Sequence, residues 1–287
     1  MYIQAIAFFE LTKLSARGAE IRGQVPLNQF IVEVMSQMVK LQLLIAPHIT
    51  GYLHVQTNPK LSYSRDGMVK NAERIVAIFR QLSPSLDAKR ICVKIPATWD
   101  GLCACRILEA KGIATLATTM FCMEQAVLAS DANCTYIAPY INELKVHFET
   151  GYIDHNKAFA FCREAQAYYH ANNYRTRVLA ASLTSVEEVL QLAGVNHVTI
   201  SPILLRTLSR LEDSTTGKEL GQYFADESAI ESLDPKKYAD ILQHESSWKL
   251  AFTRSGFGTS EGKIIQAINY FSDFQEKLEE LSERYIL

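Results

Sequence analysis

The sequence predicts an α/β protein in which short strands alternate with longer helices around a parallel sheet. Runs rich in β-branched residues recur along most of the chain, and amphipathic stretches separate them. The chain has 287 residues, of which 48% are hydrophobic, so it can fill a sizeable core. No linker rich in proline, glycine or serine divides it, and we therefore expect a single domain over residues 1–287.

Six candidate strands follow one another, and each is followed by a plausible helix. Such a succession predicts a TIM-type (β/α) barrel, although a full barrel has eight strands. The missing strands would have to come from residues 1–26, where Ile3–Phe9 is the only strand-like run, so we expect a barrel shortened at its N-terminus. The six predicted strands are Tyr52–Val55, Ile91–Ile95, Ala114–Thr119, Thr135–Tyr140, Arg177–Ser182 and His197–Ser201.

The helices are predicted from apolar residues at helical spacing and from capping signals. Asn28–Leu44 precedes the first strand, and Asp66–Phe79 follows it. Ser185 and Glu188 form a capping-box signature that begins the helix after the fifth strand. The apolar face of the helix after the first strand consists of Met68, Ala72, Ile75, Ile78 and Phe79.

The C-terminal part, from about Pro235, is predicted to be helical. It divides into a helix at Lys237–Leu250, a loop, and a second helix at Glu261–Ile286. The Gly256-Phe-Gly258 segment predicts an interhelix turn rather than a phosphate loop, because no strand precedes it. The second helix carries an apolar stripe that we expect to pack in the core: Ile264, Ile265, Ile268, Phe271, Phe274, Leu278 and Leu281.

Composition argues against several classes of partner. The formal net charge is -2 and acidic and basic residues are interspersed, so no basic patch indicates nucleic acid or an anionic membrane. The apolar start has no basic residues and reaches Glu10 too early for a signal peptide or membrane span, which predicts a cytoplasmic protein. The six cysteines lack zinc or disulfide spacing, so we expect buried free thiols.

The active site of a parallel barrel lies at the C-terminal ends of its strands. Lys94 is the sharpest candidate there, because it lies inside the apolar run Ile91–Pro96. Desolvation favours the neutral amine, which can attack a carbonyl and form an iminium. From spacing alone, Lys94 could equally pair with a buried carboxylate, and the others could serve only in hydrogen bonding and packing. The polar strand-end residues are Gln56, Lys94, Thr118, Tyr140 and Ser182.

The residues around Lys94 resemble the Schiff-base lysine motif of the transaldolase family. Val93–Gly101 carries this resemblance, which extends over about residues 28–287. It implies an enzyme that transfers or cleaves the dihydroxyacetone unit of a ketose, with an aldehyde acceptor, in carbohydrate metabolism such as the pentose phosphate pathway. It implies no cofactor. The other matching segments are Gly112–Phe121, Tyr136–Ile141, Val178–Ser182 and Thr199–Pro202.

Within the family, the chain resembles the fructose-6-phosphate aldolase subgroup. There a glutamine, a threonine and a tyrosine hold a catalytic water, and the matching residues are Gln56, Thr118 and Tyr140. Such a water would move protons between carbinolamine and iminium. Ser182 matches the family's site serine, which implies that it binds a substrate hydroxyl.

Two substitutions at the family's phosphate site predict an unusual substrate. The basic residues that bind phosphate in the family are replaced by Glu143 and Thr184. The substrate is therefore expected to lack a terminal phosphate, or to have it bound elsewhere. Arg206 or Arg254 could supply the positive charge in the second case.

A second function remains open at this point. The family's first two strands, with a catalytic aspartate and an Asn-Pro turn, have no convincing counterpart in residues 1–26. The alternative is a catalytically impaired homologue with a regulatory or biosynthetic-pathway role, because family resemblance sets the fold more firmly than the reaction. A shortened barrel also leaves two strand edges, which could be covered or paired in a homo-oligomer.

Overall fold

The fold is a parallel sheet of six strands that curls into part of a TIM-type barrel. The computed structural model describes residues 27–210 and 234–286. The strands follow one another in chain order across the sheet, which confirms the predicted barrel order. The candidate strand Ile3–Phe9 lies outside the described residues. The strands are β1 (Leu53–Gln56), β2 (Ile91–Pro96), β3 (Ala114–Met120), β4 (Tyr136–Pro139), β5 (Arg177–Ala180) and β6 (His197–Val198).

A helix follows each strand, as predicted. Within the described residues β1 and β6 do not pair with each other, and α1 packs beside β1. Among the described helices, α10 is the longest, and it follows the βα repeat in the chain. The helices are α1 (Leu27–Ile45), α2 (Arg65–Leu82), α3 (Trp99–Ala110), α4 (Met123–Asp131), α5 (Phe159–Ala171), α6 (Val186–Leu190), α7 (Pro202–Leu208), α8 (Ala239–Gln243), α9 (Glu245–Arg254) and α10 (Thr259–Ile286).

Side-chain caps fix where several of these helices begin. Ser64 caps α2, and all five residues of its predicted apolar face are buried. Ser185 caps α6 by accepting a hydrogen bond from the Glu188 amide, which confirms the predicted N-cap, whereas the Glu188 carboxylate accepts from the Thr184 amide instead of completing the capping box. At α3, Thr98 Oγ1 accepts from the Gly101 amide at 2.9 Å. A Cβ at Gly101 would lie 1.9 Å from the Pro96 carbonyl oxygen, so only glycine allows this turn from β2 into α3.

The strands divide their side chains between two clusters. Alternate residues such as Leu53, Val55 and Val93 pack outward against the helices. The inner face holds a smaller cluster to which α10 contributes two residues, and α10 therefore covers the concave side of the sheet. This inner cluster consists of Cys92, Leu116, Ala138, Tyr140, Leu144, Ala181, Ala267 and Phe271.

The prediction of one helix at Lys237–Leu250 is wrong. Pro235–Tyr238 forms a 3-10 helix, and His244 adopts an extended conformation (φ -131°, ψ 124°) that separates α8 from α9. The break allows α9 to bury Trp248, whose Nε1 donates to the Glu124 carbonyl oxygen at 2.8 Å. This long-range contact outweighs the local preference for a continuous helix.

The apolar stripe of α10 is only partly confirmed. Ile264, Ile268 and Phe271 are buried, whereas Ile265 and Phe274 are 45% and 40% exposed. Helix α10 therefore buries a narrower face than its composition suggests. The predicted interhelix turn is confirmed at Ser255–Gly258, where Gly256 and Phe257 have left-handed φ values of 56° and 54°.

Strand β6 is shorter than the predicted His197–Ser201. It contains only His197–Val198, although the Thr199 amide still donates to the Ala180 carbonyl oxygen at 2.8 Å. Its neighbour β5 ends at Ala180, and Ser182 has a left-handed φ of 64°. Beyond that point β6 has no regular strand with which to pair.

Aromatic rings meet across the inner face and show how strongly the sheet curls. The Tyr136 ring of β4 lies 5.9 Å from the His54 ring of β1 and 5.1 Å from the His197 ring of β6, between centroids. Burial, together with the nearby positive charge of Lys94, lowers the pKa of His54 to about 4. His54 is therefore neutral in the folded protein at neutral pH.

We expect the free energy of unfolding to decrease as the pH falls from about 6.5 to about 4, partly because of His54. In this window the unfolded chain protonates the imidazole while the folded chain keeps it neutral, so acid favours unfolding. The loss from this residue is at most about 3.5 kcal/mol, at about 1.4 kcal/mol per pH unit. Urea denaturation at pH 7 and 4.5 measures it. His54→Phe should have a shallower dependence, and an unchanged slope would contradict the assignment.

Candidate active site

Lys94 projects from β2 towards an aromatic wall on the inner face. Its Nζ lies 3.4 Å from the Tyr140 hydroxyl oxygen, and 5.8 Å from the ring centroids of both Tyr140 and Phe271. The side chain is half-buried. No carboxylate forms an ion pair with it among the residues that the structure describes. The structure therefore offers no support for the interpretation that Lys94 pairs with a buried carboxylate.

Tyr140 is held between Lys94 and Thr118. Thr118 Oγ1 lies 3.3 Å from the Tyr140 hydroxyl oxygen, and both residues are buried. The Tyr140 amide donates to the Met120 carbonyl oxygen at 3.1 Å, and a bridge joins Tyr140 to Ala181 of the next strand. The register between β3 and β4 shifts between Thr118 and Met120, a bulge that redirects side chains at the strand end.

Gln56 lies on the strand next to Lys94. The two residues are paired in register between β1 and β2, and Gln56 is 7% exposed. Gln56 also lines a pocket of about 210 Å³ bounded by α1, β1, α2 and α10, whose walls include Met35, Met38 and Glu279. Of the predicted water-binding residues, the structure thus brings Thr118 and Tyr140 into contact with each other and places Gln56 on the adjacent strand.

Ser182 follows β5 and is held in a left-handed conformation, with φ 64°. Its carbonyl oxygen accepts a hydrogen bond from Asn142 Nδ2 at 2.8 Å. Its hydroxyl oxygen lies 2.9 Å from His147 Nε2. Both partners come from the segment after β4, so two neighbouring strand ends fix the position of the serine.

Glu143 lies in an acidic region next to this segment. Its carboxylate accepts hydrogen bonds from the Tyr152 hydroxyl and, at 3.0 Å, from Gln266 Nε2 of α10. Its amide donates to the buried carboxylate of Asp154 at 2.8 Å. Burial alone would raise the pKa of Asp154, but the backbone hydrogen bonds and the Lys263 ammonium, 3.3 Å away, together lower it.

Thr184 forms hydrogen bonds with a second buried carboxylate, that of Glu188. Its amide and hydroxyl donate to Glu188 at 2.7 and 3.0 Å. Lys157 Nζ and Asn142 Nδ2 also donate to Glu188, at 2.6 and 3.0 Å. Burial alone would raise the pKa of Glu188, whereas the bonds from Lys157 and Thr184 together lower it, so this carboxylate is ionised at neutral pH.

The two arginines proposed as substitutes are both exposed: Arg206 belongs to α7, and Arg254 ends α9. In the described part of the chain, neither forms a hydrogen bond or ion pair with Glu143 or Thr184. The cation that α10 places beside the acidic region is Lys263.

His147, Asn142 and Phe271 contact predicted site residues, but the sequence did not single them out for the site. His147 is one of seven scattered histidines, and Asn142 belongs to a short loop. Phe271 was predicted only as a core residue. The periodicity of α10 indicated that Phe271 is buried, but not that it lies over Lys94.

Three further features bear on the expectations from composition: the burial of the cysteines, possible metal ligands and possible membrane spans. Five of the six cysteines are buried and Cys103 is half-buried, in agreement with the predicted buried thiols. Within residues 27–210 and 234–286, no group of three or more His, Cys, Asp or Glu side chains could hold a metal ion. None of the helices described is both long and apolar enough to cross a membrane.

Comparison with known proteins gives the same family as the residues do. The model of the family described as transaldolase/fructose-6-phosphate aldolase matches residues 10–254. A transaldolase of Chlamydia trachomatis is 29% identical over 254 residues, which cover 86% of this chain and 74% of the relative. A transaldolase of Chlamydia pneumoniae is 31% identical with the same coverage, and one of Chlamydia caviae is 30% identical over 83% of this chain and 71% of the relative. With its strand order and with Lys94 facing the barrel interior, this chain belongs to the transaldolase/fructose-6-phosphate aldolase family.

Proposed function

We propose that this protein is a Schiff-base aldol enzyme of carbohydrate metabolism that transfers or cleaves the dihydroxyacetone unit of a ketose. The observation that carries this proposal is the position of Lys94 Nζ, 3.4 Å from the Tyr140 hydroxyl and without an ion-pair partner among the described residues. A lysine amine in this position can attack a ketose carbonyl and form an iminium.

The reaction would proceed through covalent intermediates on Lys94. The amine nitrogen bonds to the ketose carbonyl carbon, and the carbonyl oxygen takes a proton to give a carbinolamine. Loss of that oxygen as water, with a second proton, leaves an iminium. The β-hydroxyl of the sugar then gives up its proton, the bond between the α and β carbons breaks, the aldehyde leaves, and the electron pair of that bond forms the enamine. The resulting enamine adds to an acceptor aldehyde or takes up a proton. Water then hydrolyses the new iminium and restores the amine.

The residues around Lys94 fit the proton transfers that these steps need. In this proposal the Tyr140 hydroxyl, oriented by Thr118, and Gln56 on the neighbouring strand position a water that carries protons to and from the carbinolamine oxygen. Phe271 of α10 covers the amine and limits its contact with bulk water. Ser182 binds a substrate hydroxyl.

Reductive trapping tests the proposal directly. The full chain would be incubated with dihydroxyacetone, fructose or sedoheptulose 7-phosphate in the presence of borohydride, and its intact mass would be measured. We expect the mass to increase by a single adduct derived from the ketose, and we expect this adduct on the peptide that contains Lys94. Chain denatured in urea serves as the control for nonspecific modification. An absent adduct, or an adduct on another lysine, would contradict the mechanism, and trapping without transfer to an aldehyde would indicate the impaired homologue.

We also propose that the enzyme prefers substrates without a terminal phosphate. Dianionic phosphate is normally held by charge-assisted hydrogen bonds, each contributing about 1.5–3 kcal/mol. Here the two positions at which the family has basic residues hold Glu143 and Thr184, and Thr184 is bonded to the buried carboxylate of Glu188. Asp154 and Glu188 are each paired with a lysine, whereas Glu143 forms no ion pair among the described residues, so its carboxylate is the group that would repel a phosphate.

We expect wild-type protein to have a higher kcat/KM for glyceraldehyde than for glyceraldehyde 3-phosphate as acceptor. Glu143→Arg should shift the ratio towards the phosphate by about tenfold or more, since about 1.4 kcal/mol corresponds to a factor of ten. Glu187→Arg makes the same charge change at an exposed position of α6 and should leave the ratio nearly unchanged. A wild-type preference for the phosphorylated acceptor of tenfold or more would refute the proposal.

A further inference from the structure

The contact between His147 and Ser182 has no counterpart in the mechanism proposed above. His147 Nε2 and Ser182 Oγ lie 2.9 Å apart, which is hydrogen-bond distance. His147 ends the 3-10 helix Leu144–His147, and Leu144 of that turn packs into the inner cluster beside Tyr140. The histidine therefore belongs to the same packed unit as the reacting groups.

The backbone around Ser182 limits where its hydroxyl can point. Its left-handed φ of 64° is uncommon for serine and is maintained here by surrounding contacts. Asn142, which is 1% exposed, uses its two amide protons to bind the Ser182 carbonyl oxygen at 2.8 Å and Glu188 Oε2 at 3.0 Å. With the backbone fixed in this way, the bond to His147 determines which hydrogen-bonding face of the hydroxyl remains for a ligand.

We propose that His147 Nε2 accepts the proton of the Ser182 hydroxyl, so that Ser182 offers only lone pairs and recognises a substrate hydroxyl as a hydrogen-bond donor. His147 then acts through Ser182 and is a positioning residue that sets specificity. The role in substrate selection rests on the proposed aldol function. The hydrogen-bond direction itself does not depend on that function.

Charge and burial permit this direction, which requires the neutral tautomer of His147 that is protonated on Nδ1. Burial lowers the pKa of His147, and the opposing effect of the Glu188 carboxylate is smaller, so the imidazole is neutral at pH 7. A neutral imidazole has one nitrogen without a proton, and that nitrogen can accept a hydrogen bond. A dianionic phosphate has acceptors only, so it would meet the lone pairs of Ser182 without a proton between them. A sugar hydroxyl can donate its proton to the same oxygen.

The first test observes the tautomer of His147 in the full chain at pH 7.5. Long-range proton–nitrogen NMR of protein with labelled histidine distinguishes a protonated from an unprotonated Nε2. We expect His147 Nε2 to be unprotonated, and its resonance to shift in Ser182→Ala. His147→Gln provides the resonance assignment by removing the signal. A protonated Nε2 in the wild type would overturn the proposal, whether or not the protein forms an imine.

The second test measures whether the pair selects a hydroxyl. Dihydroxyacetone is compared with hydroxyacetone as donor, and glyceraldehyde with lactaldehyde as acceptor; each second compound lacks one hydroxyl. Wild type should prefer the hydroxylated member of at least one pair by about fivefold in kcat/KM, the value of a hydrogen bond of about 1 kcal/mol. His147→Phe and Ser182→Ala should each remove the same preference, and the double variant should lose no more than either alone.

A conservative variant separates positioning from general damage. The Oε1 atom of glutamine can accept a hydrogen bond, so His147→Gln should keep more of the preference than His147→Phe. The far-UV circular dichroism spectrum and the thermal midpoint should match those of wild type in all of these variants, which shows that the chain is folded. If trapping fails in wild type, the aldol proposal fails. The NMR measurement of the His147 tautomer then tests the proposed hydrogen-bond direction by itself. If trapping succeeds but His147→Phe keeps every preference, the His147 proposal fails alone.

Discussion

Replacing Lys94 with alanine is expected to abolish both imine trapping and turnover. The proposed mechanism passes through a covalent bond to this amine, and no other group contacting it can form the same iminium. We expect kcat to fall by on the order of 10⁴-fold or more, a modest part of the acceleration that enzymes commonly achieve. Intact mass after borohydride treatment and a coupled assay of aldehyde release measure the two effects.

Two variants control this experiment. Lys94→Arg keeps a positive charge against Tyr140 but remains protonated and cannot form an imine, so it should be equally inactive. Lys89→Ala removes an exposed lysine just before β2 and should behave like wild type. An adduct that persists in Lys94→Ala would place the nucleophile elsewhere in the chain.

Replacing Tyr140 with phenylalanine is expected to slow the proton-transfer steps by about 10²-fold or more, within the usual range for general acid/base groups. The change removes the hydroxyl that bonds Lys94 and Thr118 but keeps the ring that packs against Phe121, 5.9 Å away between centroids. Trapping of a preformed imine should be less affected than cleavage. Single-turnover measurements of imine formation and of aldehyde release separate the two steps.

Tyr136 provides the matched control for Tyr140. It lies on the inner face of the same strand, but its ring packs against His54 and His197 rather than against Lys94. Tyr136→Phe should therefore leave aldol cleavage nearly unchanged. An unchanged cleavage rate in Tyr140→Phe would mean that the Tyr140 hydroxyl serves only in packing and hydrogen bonding.

Much of the fold could be predicted because each strand and helix of the βα repeat has a recognisable pattern within its own short segment of sequence. Each strand is a short run such as Ile91–Pro96, and the helix that follows carries a buried stripe such as Met68, Ala72 and Ile75. The break at His244 could not be predicted in this way. It depends on Trp248 reaching the carbonyl oxygen of Glu124, more than a hundred residues away in sequence.

The same distinction explains which contacts of the candidate site were foreseen. Lys94 and Thr118 lie on adjacent paired strands and Tyr140 directly follows the next strand, so the order of the strands places them near one another. His147 reaches Ser182 through the path of a loop, and Phe271 reaches Lys94 through the docking of α10. Neither the contact of His147 with Ser182 nor that of Phe271 with Lys94 can be read from a periodic pattern in the sequence.

The docking of α10 also determines when the site becomes complete during synthesis. Domains fold as the chain emerges from the ribosome, at about 5–20 residues per second. The segments that carry Lys94 and Tyr140 emerge long before Phe271. Phe271 belongs to the last described helix, and its ring covers the Lys94 amine. A nascent chain therefore passes through a stage in which the βα units have emerged but the lysine is still open to water. Any metabolite aldehyde in the surroundings can meet that exposed amine before the last helix closes over it.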